Sequence, residues 1–339
     1  MPAKLWLIAI VGLLLVIGAV VGIRQYYYNG LKPLNANTRT VSFTVPNGAT
    51  VSQIGNLLSS KGLIRSSWVF DWYVHSANLN TKLEAGTFAL SPSYSLERIA
   101  SIIASGQVSE GKVTILPGKT IMQIQSALVN DGFSASEVSS ALNPANYSGL
   151  SIISYKPASV GTLEGLLYPD TFDKATSTLP GQIIRESLAE MGQHITPSLK
   201  SAYASEGLSV YQAITLASII QQEVSKPSDM SQVAQVFMTR LSSGSPLGSD
   251  VTANYGAIVA GQSPSLSYDS PYNTLLHTGL PPTPIGSVSQ TALNAVANPA
   301  HTHWLYFVTG DNGITYFEST LSQHNADTAA YCHKLCQAP

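Results

Sequence analysis

The apolar positions of this chain change texture along its length. Leu5 to Ile23 is one unbroken apolar run, LWLIAIVGLLLVIGAVVGI. From about residue 41 to residue 241, apolar residues recur at helical spacing in short segments punctuated by Gly, Pro and Asn. Beyond Leu241, Ser, Gly and Pro dominate to Ser287, and few segments are long enough for a regular element.

The first run is long enough to cross a hydrocarbon core as a helix. It lies between Lys4 and Arg24 and lacks a clear small-x-small cleavage site, so it reads as a retained anchor within residues 1–30. Tyr26, Tyr27 and Tyr28 would form an aromatic belt at the interface. The simpler arrangement places the short N-terminus inside and the remainder outside. Residues 31–40 read as a polar linker.

Two segments then resemble each other at a constant offset of 70 residues. The first is VPNGATVSQIGNLLSSKGL from Val45, and the second is LPGKTIMQIQSALVNDGF from Leu116. Thr50 aligns with Thr120, Gln53 with Gln123, Leu58 with Leu128 and Gly62 with Gly132. Each predicts a strand, a tight turn, a Thr N-cap, an amphipathic helix and a Gly C-cap. The first unit continues through a helix at 66–77, a strand at 86–90 and a Ser95-capped helix to Ser105. A duplicated small α+β unit follows, at 41–109 and again at 112–134.

Downstream, GTLEGLLYPDTF (161–172) contains Pro169 and is a shaped loop, since proline excludes a helix interior. Residues 179–206 are helical. Leu208 to Pro227, LSVYQAITLASIIQQEVSKP, predicts an amphipathic helix in which Leu216, Ile219 and Ile220 share a face with Glu223. Pro227 reads as its stop, and Met230 to Leu241 as the next helix. Later elements are a helix at 289–297, a hairpin of strands 305–309 and 314–317, and a last helix. The fold class is α+β, with residues 110–339 as the principal domain.

Composition narrows the partners. The 339 residues carry a net charge of -2, and only 11% are charged, against a usual ~25%. Without clustered Lys and Arg, nucleic acid is not a partner. A surface rich in Ser, Thr, Asn and Tyr suits an uncharged polar polymer such as a glycan. Cys332 and Cys336 either pair as a terminal clip or stay free. His277, His301, His303 and His324 are scattered, so no metal site is called for. There is no phosphate loop and no serine elbow, and no cofactor is implied.

Carboxylates remain: Glu164, Asp170, Glu223, Asp250 and Asp269. Glu223 ends an apolar stripe and lies in the last helical turn, where burial and the helix dipole both raise a carboxyl's pKa. On the helix alone, it is either a partly exposed structural acid or a general acid. Glycoside hydrolases usually need a second carboxylate. A lytic transglycosylase does not, because the sugar's own 6-hydroxyl is the nucleophile.

Six motifs in order make the resemblance specific: LEGLLYPDTF, ASIIQQE, LGSDVTANYG, SPYNTLLHTGLPPTPI, NPAHTHWLYFV and FESTLSQHN. Together they resemble the MltG (YceG-like) family of endolytic peptidoglycan transglycosylases, and the 41–109 unit resembles a LysM-like glycan-binding module. The resemblance implies a single-pass protein of the cell membrane whose extracytoplasmic part cuts nascent glycan strands. The products would be 1,6-anhydromuramic ends, made beside cell-wall synthases. It makes Glu223 the general acid/base. It puts Glu164 and Asp170 along the cleft and has Asp250, Tyr255, Tyr272 and Asn273 orient the glycan. Gln221 and Gln222 stand where the family has Glu and Lys, and Tyr316 and Gln323 where it has His and Glu. Glu223 should therefore open onto a polar cleft among the loops around Tyr168, Asp250 and Asn273, with no second carboxylate placed to activate water. A hydrolytic muramidase using Asp250 or Glu164, or a non-catalytic wall-binding scaffold, are the alternatives.

Overall fold

The computed structural model describes residues 2–36, 40–106, 109–175, 178–334 and 336, with side chains from residue 11 onward except at 109 and 110. Residues 37–39 of the linker and Gln107 lie outside the described residues. The fold is α+β, and the chain divides into two compact units. Residues 1–113 and 172–178 form the first, and residues 114–171 and 179–339 form the second.

In the first unit, helix α1 (Pro2–Leu31) runs past the end of the apolar sequence. Among the described residues it is the one helix long and apolar enough to cross a membrane, over Val11–Leu31. Then come β1 (Val41–Val45), α2 (Val51–Ser60), α3 (Ser67–Ser76), β2 (Gly86–Leu90), α4 (Leu96–Ala104) and β3 (Ser109–Thr114). β1 and β2 are antiparallel, with Phe43 opposite Phe88. Alternation puts Phe43, Val45, Phe88 and Leu90 on the buried face. There they meet Ile54, Leu58, Phe70, Ile99 and Ile103 from the three helices. Each such side chain contributes ~1.5–3 kcal/mol on burial. The segment after α1 is not a free linker. Leu34 N donates to Pro92 O at 2.9 Å, and Arg65 Nη2 reaches Pro33 O and Leu34 O, both at 2.8 Å.

The repeat is visible in atomic detail. α2 and α5 (Ile121–Asn130) both begin with a complete capping box, Thr50–Gln53 and Thr120–Gln123. Gly48 and Gly118 occupy the left-handed region at φ 75° and 73°, which the turn before each helix demands. A cross-strand hydroxyl pair also occurs beside each, Thr44–Thr87 and Thr114–Thr171, both at 3.0 Å, with Thr114 70 residues after Thr44. β3 pairs with β4 (Thr171–Ala175), as β1 does with β2.

The second unit continues through α6 (Ala135–Ala141), a 3-10 turn at Pro144–Tyr147 and α7 (Ser151–Ser154). Next are α8 (Pro180–His194), α9 (Pro197–Ser205), α10 (Val210–Glu223), α11 (Pro227–Ser242) and α12 (Asp250–Val259). α13 (Gln290–Ala297), the β5–β6 hairpin (Tyr306–Thr309 and Thr315–Glu318) and α14 (Leu321–Tyr331) complete it. α10 is the central element, packed against α9, α11, α12 and α13. Every residue from Ala213 to Ile220 is buried, which explains why its apolar stripe is so wide.

Two sequence readings change here. Pro227 does not merely stop α10. It is the first residue of α11, where a missing N–H costs nothing. Asp250–Val259, read from the sequence as loop, is a helix. Cys332 and Cys336 are joined by a disulfide just past α14.

Candidate active site

α10 is built to hold its last residue rigidly. The Ser209 cap and Gln212 box fix its start. Inside it, Ser218 Oγ donates to Thr215 O at 2.7 Å and accepts from Ile285 N at 3.0 Å, which ties the 285–289 segment to the helix. At the far end, Gln222 Nε2 donates to Gly118 O at 2.6 Å, and Gln221 Oε1 accepts from Ser289 N at 3.2 Å. The glutamines thus make the same kind of contact that a Lys donor and a Glu acceptor would make in their places. They bring no charge to the neighbourhood of Glu223.

Glu223 itself is partly buried. Its Oε1 accepts a 2.5 Å hydrogen bond from Ser249 Oγ. Burial pushes its pKa up to about 7; the Ser249 hydroxyl opposes this, the charge of Asp250 adds to it, and the Arg240 guanidinium opposes it. Burial dominates because the helix end offers no competing donor: its free groups are carbonyls.

Ser249, which is 2% exposed, is held from behind. Its N–H donates to Thr274 Oγ1 at 3.2 Å, its carbonyl accepts from Thr252 Oγ1 at 2.7 Å, and Thr252 and Thr274 hydroxyls lie 2.7 Å apart. Arg240 Nη1 donates to Leu247 O, and Nη2 to Leu305 O at 2.9 Å. The arginine thereby fixes the segment leading to Ser249 and presents a positive charge toward Glu223.

The other sequence-derived residues divide. Asp250, the exposed first residue of α12, follows Ser249 directly, and burial raises its pKa. A second carboxylate therefore acts electrostatically on Glu223. Glu164 is 1% exposed. Its oxygens accept from Ile121 N, the first residue of α5, at 3.0 Å, and Oε2 accepts from Tyr255 Oη at 2.9 Å. Burial nevertheless pushes its pKa up to about 7, against these hydrogen bonds. It is an internal tie between α5 and α12. Tyr255 in turn packs edge-on against Tyr272 at 5.0 Å, and Tyr272 Oη pairs with Thr283 Oγ1 at 3.0 Å.

Asn273 is wholly buried. Its Nδ2 donates to Leu266 O and Tyr268 O, and its Oδ1 accepts from Leu275 N. It shapes the loop that delivers Thr274 to Ser249. Asp170 Oδ1 accepts from Thr171 N at 2.7 Å beside β4. The Tyr168 ring stacks on His194 of α8 at 3.9 Å; the contacts that define Glu223 come from 240, 249 and 250 instead. Tyr316 stacks on Tyr331 at 4.3 Å, and Gln323 completes the Thr320 cap of α14. Among the described residues, no group of three or more His, Cys, Asp or Glu side chains is placed to hold a metal ion.

Sequence reasoning missed Ser249 and Arg240. The Ser-Asp pair opening α12 is an N-terminal helix signal, but partnership with a residue 26 positions away leaves no trace in a single sequence.

Fold and site define an α+β protein that holds one carboxyl, poised near neutrality, at the end of a central helix. The chain belongs to the YceG-like family, whose profile matches residues 43–330. It is 29% identical over 323 residues to the endolytic murein transglycosylase of Bacillus subtilis (strain 168), covering 89% of this chain and 88% of that one. It is 30% identical over 340 residues to the endolytic murein transglycosylase of Streptococcus pneumoniae serotype 2 (strain D39 / NCTC 7466), covering 91% of this chain and 61% of that one. The crystal structure of a yceG-like protein from Listeria monocytogenes is similar, with a TM-score of 0.56 and 28% identity over 85% of this chain and 99% of that one.

Proposed function

We propose that this protein is a lytic transglycosylase that cuts peptidoglycan glycan strands internally, with Glu223 as its acid and base. The observation that carries the reading is Glu223 itself: a carboxyl with a pKa of about 7, bonded to a buried serine hydroxyl. The names of the Bacillus and Streptococcus relatives supply the substrate class.

At neutral pH a substantial fraction of Glu223 is protonated. The acid gives its proton to the oxygen between the muramic acid and glucosamine residues. The C1–O bond breaks, and the glucosamine leaves with a free 4-hydroxyl. The resulting carboxylate takes the proton of the muramic 6-hydroxyl as that oxygen bonds to C1. The product is a 1,6-anhydro end, the proton is back on Glu223, and no water is consumed. Attack within one sugar ring benefits from proximity. The Ser249 hydroxyl stabilises Glu223 during its charged phase, since a hydrogen bond to an ion is stronger than one to a neutral group.

Asp250 and Asp170, at accessible positions, contact the glycan. Glu164, Tyr255, Tyr272 and Asn273 act indirectly by holding the loops that frame it. α1 anchors the chain in the cell membrane with the rest on the outer face, beside the wall synthases. The strand–helix–helix–strand order of 41–109 supports a LysM-like module, and the matching caps at 112–134 support a second one. Residues 110–339 make up the catalytic domain.

The test is the chemistry of the ends. The full chain in detergent is incubated with purified peptidoglycan, and the released glycans are analysed by mass. Anhydromuramic ends are expected. Reducing ends, heavier by one water, would make the protein a hydrolase instead.

A further inference from the structure

We propose that α3 of the first unit rests on the membrane surface, with Trp68 and Trp72 in the lipid interface. This rests on the reading of α1 as a membrane anchor. Large aromatic side chains in a small unit are normally buried, yet Trp68 is 50% and Trp72 43% exposed. They are four residues apart on α3 and so share one face. Their rings pack on each other at 5.0 Å between centroids.

This pair is continuous with the end of α1. Tyr26 lies 5.9 Å from Trp68, and Tyr27 4.7 Å from Trp72. Tyr26 Oη donates to Ser66 Oγ, the cap of α3, at 3.1 Å. The junction is close-packed as well. A Cβ at Gly30 would come within 2.6 Å of Val69 Cγ2, so glycine there lets α1 and α3 approach. Tyr27 and Leu31 pack against the core of the unit. α3 therefore cannot swing away from the last turns of α1.

Depth follows from this geometry. Tyr26 and Tyr27 come three and four residues after Ile23, where the apolar run ends. That is about 5 Å further along a helix axis, within the headgroup layer of a bilayer whose core the run would span. Trp68 and Trp72, touching those tyrosines, share that depth. Tyr28, 50% exposed, and Arg24, which lies over its ring at 5.6 Å, occupy the same zone. Indole and phenol rings favour that zone, where an apolar body and a polar tip are both satisfied. The only acid on α3, Asp71, lies beside His75 at 3.9 Å. The occupant of this face is accordingly the same bilayer that α1 enters.

The experiment uses the full chain with Trp6→Phe, which removes the tryptophan within the apolar run. It is reconstituted into phosphatidylethanolamine/phosphatidylglycerol vesicles, with or without 6,7-dibromo acyl chains. Resistance of the protein to an alkaline carbonate wash reads the anchor separately. The expected result is washed vesicles that retain the protein and a tryptophan emission that brominated lipid lowers about twofold. That quenching should be lost when Trp68→Phe and Trp72→Phe are added. Retention with equal quenching before and after those two changes would overturn the proposal while leaving the anchor intact. So would emission that iodide quenches as strongly in vesicles as in detergent. Emission shielded from both quenchers, together with a dimer in crosslinking, would assign the face to a second copy and overturn it too. Release by the wash would contradict the anchor and, with it, the interfacial placement.

Discussion

Ser249 Oγ donates to Glu223 Oε1 across 2.5 Å, joining the N-cap residue of α12 to the last residue of α10. This is the contact through which a helix-end acid becomes part of a defined site. The hydroxyl favours the ionised form, while burial favours the neutral one more strongly. The pKa near 7 is set chiefly by these two, with smaller and opposite contributions from the charges of Asp250 and Arg240.

Replacing Ser249 with Ala should move that balance. Loss of a hydrogen bond to a charged group, worth ~1.5–3 kcal/mol, should raise the Glu223 pKa by about one or more. The rate at its optimum should fall roughly 10- to 100-fold, because the charged intermediate form loses its donor. The alkaline limb of the rate profile, set by loss of the Glu223 proton, should shift to higher pH. Ser249→Thr should restore part of both effects. An unchanged limb in Ser249→Ala would show that the contact does not tune the acid.

Asp250→Asn separates tuning from water activation. The charge of Asp250 raises the Glu223 pKa, so the variant should shift the alkaline limb to lower pH. It should keep anhydro products and lose less than about tenfold in rate. Loss of ~100-fold or more would instead assign Asp250 the base role of a hydrolase.

Glu164 and Glu223 make stability fall with rising pH. Both have pKa values pushed from an ordinary 4.5 up to about 7. Between these limits the folded chain holds protons that the unfolded chain releases. Their contribution is therefore complete below about pH 4.5 and declines as pH rises through about 7. For fully buried Glu164 the change amounts to ~3 kcal/mol. Glu164→Gln, which keeps an acceptor for Ile121 and Tyr255, should flatten the decline. Urea unfolding of the parent and variant at pH 5 and pH 8 measures it, and equal declines would exclude Glu164 as a source.

Gly165 should tolerate no side chain. It sits at φ 72°, and a Cβ would lie 2.2 Å from Pro284 Cβ. Gly165→Ala should cost ~3 kcal/mol or more in unfolding measurements. It should also lower activity, because Pro284 precedes the Ile285 N–H that bonds Ser218 on α10. Gly161→Ala, with nothing within 4 Å of the added carbon, should stay within ~0.5 kcal/mol of the parent.

Local chemistry was legible in the sequence wherever it decided the structure. The duplicated Thr caps, the helix ending at Glu223, the 289–297 helix and the terminal hairpin are all settled within a few residues. α12 was not legible. Val251, Thr252 and Gly256 are poor helix formers, and the segment is helical because Thr252, Ala253, Tyr255, Gly256 and Ala257 are buried against other elements. The same limit hid Ser249 and Arg240 as partners of Glu223. It also hid the true position of Glu164, whose partners Ile121 and Tyr255 are 43 and 91 residues away in sequence. Periodicity reports which face is apolar, but it does not report what the face meets.

The central claim is that Glu223 transfers the proton, and Glu223→Gln tests it most directly. Glutamine keeps the shape and can still accept from Ser249, but it has no proton to give. The rate of anhydromuramic end formation by this variant should fall by at least ~1000-fold, in the upper part of the ~100- to 10,000-fold span typical of a lost acid–base group, while glycan binding persists. A variant that releases anhydro ends within tenfold of the parent rate would contradict the account.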